Sequence, residues 1–311
     1  MISVILPTRD PHPVRLQRTL AGLAAQSLPR SEWELLIVDN GSTKPLADPM
    51  IAAIGGRIVP ETTAGLSRAR LAGLRATRGD IVVFVDDDNV LAPHFLRLVR
   101  AHFTAHPRLG AAGGPVIPKF EQSPPEWARE FFGLLAVRDL GSAPIIAIGA
   151  DDAPWPHCAP VGAGLCLRRA AADLYVQALS SDPSRLGLDR TGRSLASGGD
   201  NDLVFTALHG GWDVGYFPEL TLTHLIPSSR LAPDYLARLN EGIMRTWVRV
   251  LHLHGQCPWR PIPPWTVPFR AVRAWVRFGA WRSPAHRIRW RGAVGQFLGQ
   301  ADLSHVPSQS T

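Results

Sequence analysis

Cysteine and lysine are both scarce in this chain of 311 residues, which has three cysteines and only two lysines, Lys44 and Lys119. The cysteines, Cys158, Cys166 and Cys257, form no Cys-x-x-Cys pair, and three thiols cannot all be paired within one chain. Free thiols indicate a reducing compartment. Because lysine is so scarce, the positive charge behind the formal net charge of +7 comes almost entirely from arginine. Such a bias is typical of proteins that meet nucleic acid, anionic lipid or phosphate-bearing ligands.

Long apolar runs are also lacking. No window approaches the roughly 18 uninterrupted apolar residues of a membrane-spanning helix, and no signal-peptide pattern precedes the first predicted strand, which begins at about Ile2. We therefore expect a cytoplasmic protein. The hydrophobic content of 45% suits a well-packed core, and the length allows one large α/β domain with an appendage, or two domains.

Acidic residues are absent from 242–301, although this segment holds ten arginines and six of the ten tryptophans. Residues 267–282 place arginines and aromatics at helical spacing. An anionic membrane surface suits this composition, because arginines meet lipid headgroups and tryptophans lie at their level. Nucleic acid or an oligomer-forming helical tail are the alternatives. We predict contact with the inner face of the plasma membrane through 262–295, and no nucleic-acid partner.

The first 90 residues alternate short apolar runs with amphipathic stretches. Strands are predicted at 2–8, 34–40, 57–60 and 80–86, and helices at 14–28 and 66–76. Apolar strands separated by helices indicate an α/β fold with a mostly parallel sheet covered on both faces. Ligands of such sheets bind beyond the carboxyl ends of the strands, so the polar residues there should form one rim. These residues are Thr8, Arg9, Asp39, Asn40 and Asp86 to Asn89.

The second half of the chain is less regular. Residues 120–160 are rich in proline and tryptophan and are predicted to be irregular, followed by a strand at 161–169 and a helix that Gly210 and Gly211 terminate. The composition changes near residue 240. We predict a domain at 1–240, with a nucleotide-binding half (1–115) and an acceptor half (116–240), followed by a basic aromatic extension at 241–311.

Three consecutive carboxylates, Asp86, Asp87 and Asp88, follow the predicted strand at 80–86. Carboxylates that share a divalent cation with substrate phosphates are a common way to hold Mg²⁺ or Mn²⁺. Asp86 and Asp88 can face one ligand, because alternate residues of an extended chain point the same way. The alternative is a solvated turn in which Asp88 or Asn89 caps the next helix.

Four segments taken together resemble the family 2 glycosyltransferases with the GT-A fold, a Rossmann-like, mostly parallel sheet. The segments are "SVILPTRD", "LLIVDNGS", "GLSRARLAGL" and "VVFVDDDN", in this order and spacing. The resemblance implies that a nucleotide, usually uridine, is bound by Pro7, Thr8, Arg9 and Asp39. Asp39 could instead start the turn at Asp-Asn-Gly. Arg70 would lie near the diphosphate, although Leu71 stands where the family usually has asparagine.

The same resemblance assigns the acidic cluster. Asp88 would bind Mn²⁺ or Mg²⁺ directly, Asp86 would contact the ribose or the metal, and Asp87 would occupy an exposed, variable position. His224 would complete the metal site or contact the diphosphate, although a lone histidine after a strand is most often structural. Its surroundings, with Arg230, resemble a bacterial surface-polysaccharide subset of the family.

The general base implied by the resemblance is Asp200 in "GGDNDL" (198–203). Gly199 stands where relatives usually carry glutamate, and Asp202 is the fallback base. Asp200 could instead be a first-turn helix residue stabilised by the helix dipole. Gly162 and Gly164 would let a sugar approach the backbone closely, or would serve a tightly packed strand. Trp127 and Trp155 are candidates for stacking on an acceptor sugar, or for core anchors.

These residues predict a metal-dependent inverting glycosyltransferase that moves a sugar from a nucleotide-diphosphate sugar, expected to be UDP-linked, to a hydroxyl of a glycan or lipid-linked acceptor in polysaccharide biosynthesis. One alternative is a nucleotidyltransferase with a similar sheet, which would need a Gly-rich basic loop that "PTRDPHP" does not provide. Another is a nucleotide-sugar binding module without catalysis.

Overall fold

A computed structural model describes residues 1–190 and 194–305. The strands are β1 (Ile2–Thr8), β2 (Trp33–Asp39), β3 (Arg57–Pro60), β4 (Ile81–Phe84), β5 (Asn89–Leu91), β6 (Leu109–Gly113), β7 (Val116–Phe120), β8 (Ile145–Ala147), β9 (Cys166–Arg168), β10 (Asp213–Tyr216) and β11 (Leu222–Ile226). The helices are α1 (Pro13–Ala24), α2 (Pro49–Ala53), α3 (Leu66–Ala76), α4 (Phe95–Ala105), α5 (Arg169–Ser181), α6 (Gly199–His209), α7 (Pro233–Leu253), α8 (Val267–Phe278) and α9 (Pro284–Asp302).

The chain divides into two compact units. The first comprises residues 1–119, 136–186 and 200–226, and the second comprises 120–135, 187–199 and the residues from 227 onward. The boundary predicted near residue 240 falls inside α7, which is a continuous helix of 21 residues. The functional division into halves at 1–115 and 116–240 stays a prediction.

The first unit is built on an eight-stranded sheet with the order β3-β2-β1-β4-β9-β6-β10-β8. Strands β3, β2, β1 and β4 are parallel, as predicted from their apolar runs. Strand β9 runs antiparallel to both β4 and β6, and the edge strand β8 runs antiparallel to β10. The sheet is therefore mixed at its centre and mostly parallel elsewhere, which confirms the predicted α/β class.

Helices cover both faces of this sheet. Successive residues of β1 point to opposite sides, so the strand contributes apolar side chains to both faces. Val4 and Leu6 pack with residues of α1 and α4 in one apolar cluster, and Ile5 packs with residues of α3, α5 and α6 in the other. Helix α3 lies very close to β1, since a Cβ added at Gly73 would be 2.4 Å from the Ile5 side chain. This contact fixes the position of α3, the helix that carries Arg70.

The strand register brings the predicted polar residues to one edge of the sheet. Thr8 lies opposite Asp39 in the parallel pair of β1 and β2, and the Val85 N–H donates to the Ile5 carbonyl beside them. A second, three-stranded sheet has the order β5-β11-β7 and places His224 opposite Asn89. The predicted rim is thus confirmed, with His224 added to it by the small sheet.

The second unit is helical. Helix α9 packs closely on α7, since a Cβ added at Gly295 would lie 2.2 Å from the Glu241 carbonyl oxygen. Helix α8 contacts α9 through the Trp290 indole N–H, which donates to the Ala271 carbonyl at 2.9 Å. Among the described residues, none of the helices combines the length and the hydrophobicity required to span a bilayer.

Candidate active site

Asp87 joins two of the strand ends that form the rim. It is half-buried, and its carboxylate accepts a hydrogen bond from the Thr8 hydroxyl. The prediction that Asp87 is an exposed bystander is therefore wrong. A carboxylate between two other carboxylates is stabilised by a nearby donor, and the neighbouring strand supplies one at this position.

Asp39 adopts the turn geometry that was the alternative interpretation. Its two carboxylate oxygens accept from the backbone N–H groups of Ser42, at 3.0 Å, and Leu46, at 3.3 Å. An ionised carboxylate has about four acceptor positions, so capacity remains for a ligand donor. The turn therefore fixes the direction of the Asp39 carboxylate and leaves nucleotide contact open to it.

Asn40 is a site residue that sequence reasoning placed on the rim without a role. It is buried, and its amide donates to the carbonyls of Glu61, at 3.1 Å, and Thr63, at 2.8 Å. Its carbonyl oxygen accepts from the Gly65 N–H at 2.8 Å. Gly65 is the residue just before α3 and has a φ of +150°, a backbone conformation that other residues rarely adopt. Asn40 therefore anchors the segment that leads into α3.

Asp88 and His224 lie together, both nearly inaccessible to solvent. The Oδ2 atom of Asp88 is 3.5 Å from Nε2 of His224, and its Oδ1 accepts from the Asn89 amide at 3.1 Å. The Leu225 N–H donates to the Asp88 carbonyl at 2.8 Å, which links β11 to the acidic segment. The pairing of β5 with β11 thus holds both side chains in position.

This pair fits a divalent cation. Metal–oxygen and metal–nitrogen bonds are about 2.0–2.2 Å long, so two donor atoms 3.5 Å apart can bind one ion. A group of three or more histidine, cysteine or acidic side chains suited to a metal is not found within residues 1–190 and 194–305. The remaining ligands would have to come from substrate oxygens and water, as is usual for Mg²⁺ at phosphate sites.

Arg70 and Asp200 meet on either side of Gly162. A Cβ added at Gly162 would lie 2.8 Å from a terminal guanidinium nitrogen of Arg70 and 2.9 Å from Oδ2 of Asp200. Arg70 is only 3% exposed, and its guanidinium lies 5.4 Å from the centre of the Phe84 ring. The structure therefore brings the predicted diphosphate contact and the predicted base to one small region.

Backbone donors orient Asp200. The Gly162 N–H donates to Oδ2 at 2.8 Å, and the Asn201 N–H donates to Oδ1 at 3.0 Å. Asp200 is half-buried in the first turn of α6. Asp202, the fallback base, is fully buried and pairs with Arg185 at 3.3 Å. Asp202 is engaged by Arg185, whereas Asp200 lies beside Gly162 and Arg70, so Asp200 remains the candidate of the two.

Gly199 lacks the glutamate side chain that the family usually carries, but an acidic group lies beside it. The Gly199 N–H donates to Oδ1 of Asp189 at 3.3 Å, and Asp189 is buried within the same compact unit. A carboxylate at this position suits the N-terminus of α6, where the backbone N–H groups carry partial positive charge.

The other predicted residues have simpler positions. Pro7 lies buried within β1, Arg9 is exposed beyond its end, and Asp86 is half-buried. Trp155 packs against Phe205 with ring centres 4.6 Å apart, which is the core-anchor alternative. Stacking on a sugar by Trp127 stays a prediction.

We expect Gly162→Ala to lower kcat sharply. The added methyl would lie between Arg70 and Asp200 at distances that real Cβ contacts essentially never show, so the two side chains would have to move apart. A misplacement of about 1 Å at a catalytic group can cost roughly 100-fold in rate. Steady-state kinetics and thermal unfolding would measure the effect. Gly187→Ala is the matched control, because open space surrounds that position; equal kinetics for both variants would contradict the expectation.

A sequence model of a known protein family matches this chain. The model described as "Glycosyl transferase family 2" matches residues 3–170, which is more than half of the chain. The chain belongs to glycosyl transferase family 2. Its mostly parallel α/β sheet is the GT-A fold implied by the resemblance.

Two curated relatives of this family 2 member have names that refer to bacterial polysaccharide biosynthesis. The succinoglycan biosynthesis protein ExoM of Rhizobium meliloti is 27% identical over 76% of this chain and 71% of ExoM. The O-antigen biosynthesis protein RfbC of Myxococcus xanthus is 30% identical over 35% of this chain, but the match spans only 9% of RfbC. The chain thus corresponds to a small part of some of its relatives.

Solved structures share the fold. The mannosyltransferase PcManGT from Pyrobaculum calidifontis, in complex with GDP-Man and Mn²⁺, has a TM-score of 0.57 at 18% identity, covering 99% of this chain and 88% of PcManGT. The TarS structure from S. aureus has a TM-score of 0.52 at 14% identity, covering 96% of this chain and 54% of TarS. At these identities the likeness concerns the fold alone.

Proposed function

We propose that this protein is a metal-dependent, inverting glycosyltransferase that uses a UDP-sugar. The observation that carries the proposal is the rim on which Thr8, Asp39 and the acidic segment 86–88 converge. This rim lies at the carboxyl ends of β1, β2 and β4, where α/β sheets bind their ligands. Pro7, Arg9 and Asp86 complete the proposed nucleotide site, with Asp39 accepting from the N–H edge of uracil.

Asp200 is the proposed general base. Its carboxylate would take the proton of an acceptor hydroxyl, which then attacks the anomeric carbon from the face opposite the diphosphate. Gly162 and Asn201 hold the carboxylate in one orientation through their N–H groups. The negative charge that develops on the departing diphosphate is stabilised by the nearby Arg70 guanidinium.

Asp88 and His224 are the proposed protein ligands of Mn²⁺ or Mg²⁺, with Asp86 as a ribose contact. When bound, such an ion supplies Lewis-acid stabilisation of the leaving group. The 3.5 Å separation of Asp88 Oδ2 and His224 Nε2 supports this assignment. The imidazole and carboxylate donors also suit Mn²⁺-type ions.

The acceptor is proposed to be a glycan or a lipid-linked glycan in polysaccharide biosynthesis. The names of ExoM and RfbC support this class. A location in the cytoplasm, peripheral to the inner face of the plasma membrane, belongs to the same proposal. The rival assignment as a nucleotidyltransferase has less support, because residues 9–13, which follow β1, contain no glycine.

A donor panel tests the proposal. We expect hydrolysis or transfer with UDP-sugars in the presence of Mn²⁺, and at most weak activity with GDP- and dTDP-sugars. The same panel with Asp39→Asn should lower the affinity for uridine nucleotides, because an amide matches the uracil edge less well than a carboxylate. A clear guanosine preference would overturn the role of Asp39, and a nucleotide sugar that binds without turnover under all conditions would favour the binding-module alternative.

A further inference from the structure

Helix α8 exposes large apolar side chains on a face where an ordinary surface helix carries polar ones. Phe269, Val272 and Val276 follow helical spacing, and together with Trp265, in the short turn before the helix, they form one stripe. Trp265 and Phe269 are 71% exposed, and Val276 is 58% exposed. We call these four residues the α8 stripe. An exposed apolar stripe of this kind marks an interaction surface.

The opposite side of α8 is the one that packs on protein. Ala274 is buried on that side, and the Ala271 carbonyl accepts the hydrogen bond from Trp290 of α9. Small residues therefore face the core and large apolar residues face outward. Trp275 and Trp281, at the end of the helix, add further exposed aromatic surface, with ring centres 4.6 Å apart.

Eight of the ten arginines of the basic segment fall into two sets. Four of them form ion pairs with carboxylates inside the second unit, at distances of 2.5–2.7 Å. These pairs are Arg245 with Asp302, Arg287 with Asp234, Arg289 with Glu130, and Arg291 with Glu241. The hydrogen bond to Glu130 also raises the pKa of Arg289. These arginines stabilise the fold of the unit and have their charge balanced locally.

The second set lies beside the α8 stripe. Arg270, Arg273, Arg277 and Arg282 are exposed, and in the described part of the chain none of them forms an ion pair with a carboxylate. Arg270 donates to the Thr266 hydroxyl, and Arg282 lies over the Trp281 ring. A row of locally unbalanced cations therefore flanks an apolar stripe over residues 265–282.

We propose that the α8 stripe and its flanking arginines dock in the plane of an anionic lipid bilayer. The charges are complementary, since the surface offers cations to anionic headgroups while Phe269 and the valines enter the acyl boundary. A second copy of the same surface would meet it with like charge. RNA would use the arginines and aromatics, but valines offer no stacking surface to bases. The inference refines the membrane part of the proposed function and narrows 262–295 to 265–282.

Vesicle sedimentation of the full chain tests this inference, using phosphatidylcholine vesicles with and without phosphatidylglycerol. We expect binding that requires the anionic lipid and weakens with salt. The double variant Arg273→Gln with Arg277→Gln should lower the partition coefficient by roughly fivefold per arginine. The matched control, Arg287→Gln with Arg289→Gln, removes the same net charge from ion-paired arginines and should lower binding less.

The stripe has its own variant and control. Phe269→Ser with Val276→Ser should abolish vesicle binding, whereas Val14→Ser with Ile148→Ser changes two equally exposed apolar residues of the first unit and should not. Donor hydrolysis without vesicles should be normal in all these variants, which separates this inference from the proposed function. Unchanged vesicle binding by the stripe variant would overturn the inference. The inference would also be overturned if the wild-type protein did not bind vesicles but bound RNA, or if it dimerised through the stripe.

Discussion

Asp200→Asn should abolish glycosyl transfer while leaving nucleotide binding intact. The amide has the shape of the carboxylate and can still accept from the Gly162 N–H, which is 2.8 Å away in the wild type, but it cannot take up a proton from the acceptor. Loss of a general base typically costs about 100-fold to 10,000-fold in rate. Steady-state kinetics with a UDP-sugar would place the loss in kcat, with UDP affinity unchanged by calorimetry.

Asp202→Asn is the informative control for this experiment. Asp202 is buried and paired with Arg185, so removing its charge leaves the half-buried Arg185 guanidinium with only the more distant Asp182 carboxylate, at 3.9 Å, and should lower the thermal unfolding midpoint. The folded fraction should retain the wild-type kcat. If kcat fell for Asp202→Asn and stayed normal for Asp200→Asn, Asp202 and not Asp200 would be the general base.

Asp88→Ala should remove the response of the enzyme to metal. The wild type is expected to lose activity in EDTA and to regain it with Mn²⁺. The variant should be slower by about two to three orders of magnitude and insensitive to added Mn²⁺, since a metal contributes several kcal/mol to leaving-group stabilisation. His224→Ala should raise the Mn²⁺ concentration needed for half-maximal activity, because the ion would lose one of its two proposed protein ligands.

Asp87→Asn tests whether the metal response depends on Asp88 itself or on any carboxylate of the acidic segment. Its carboxylate bonds to the Thr8 hydroxyl, so the variant should keep the Mn²⁺ response even if nucleotide affinity falls. Full activity of Asp88→Ala in EDTA would refute the metal assignment. Equal loss of the Mn²⁺ response in Asp87→Asn would assign the metal to the acidic cluster as a whole.

Much of the first sheet could be predicted from the sequence. The bounds of β1, β3 and α3 match the predictions, because each is a clean apolar or amphipathic run with its own start and stop residues. The direction of β9 could not be predicted, since an irregular segment precedes it. The course of that segment depends on tertiary contacts such as those from the Arg138 guanidinium to the carbonyls of His157 and Ala159.

The site was predictable in position but not in its contacts. Strand ends predict the rim, but the partner of Asp87 is 79 positions away in the chain, and the donors and acceptors of Asn40 lie more than 20 positions away. The Asn-Gly pair at 40–41 gave a turn signal that concealed the anchoring role of Asn40. Likewise, composition could not separate ion-paired arginines from those beside the α8 stripe, because partners such as Glu130 are distant in sequence.

Calorimetric titration of UDP into the wild type and Asp88→Ala, each with and without Mn²⁺, tests the central claim most directly. If the rim is a metal–diphosphate site, Mn²⁺ should tighten UDP binding to the wild type and have no effect on binding to Asp88→Ala. UDP affinity that is the same in both proteins, with and without the ion, would contradict it.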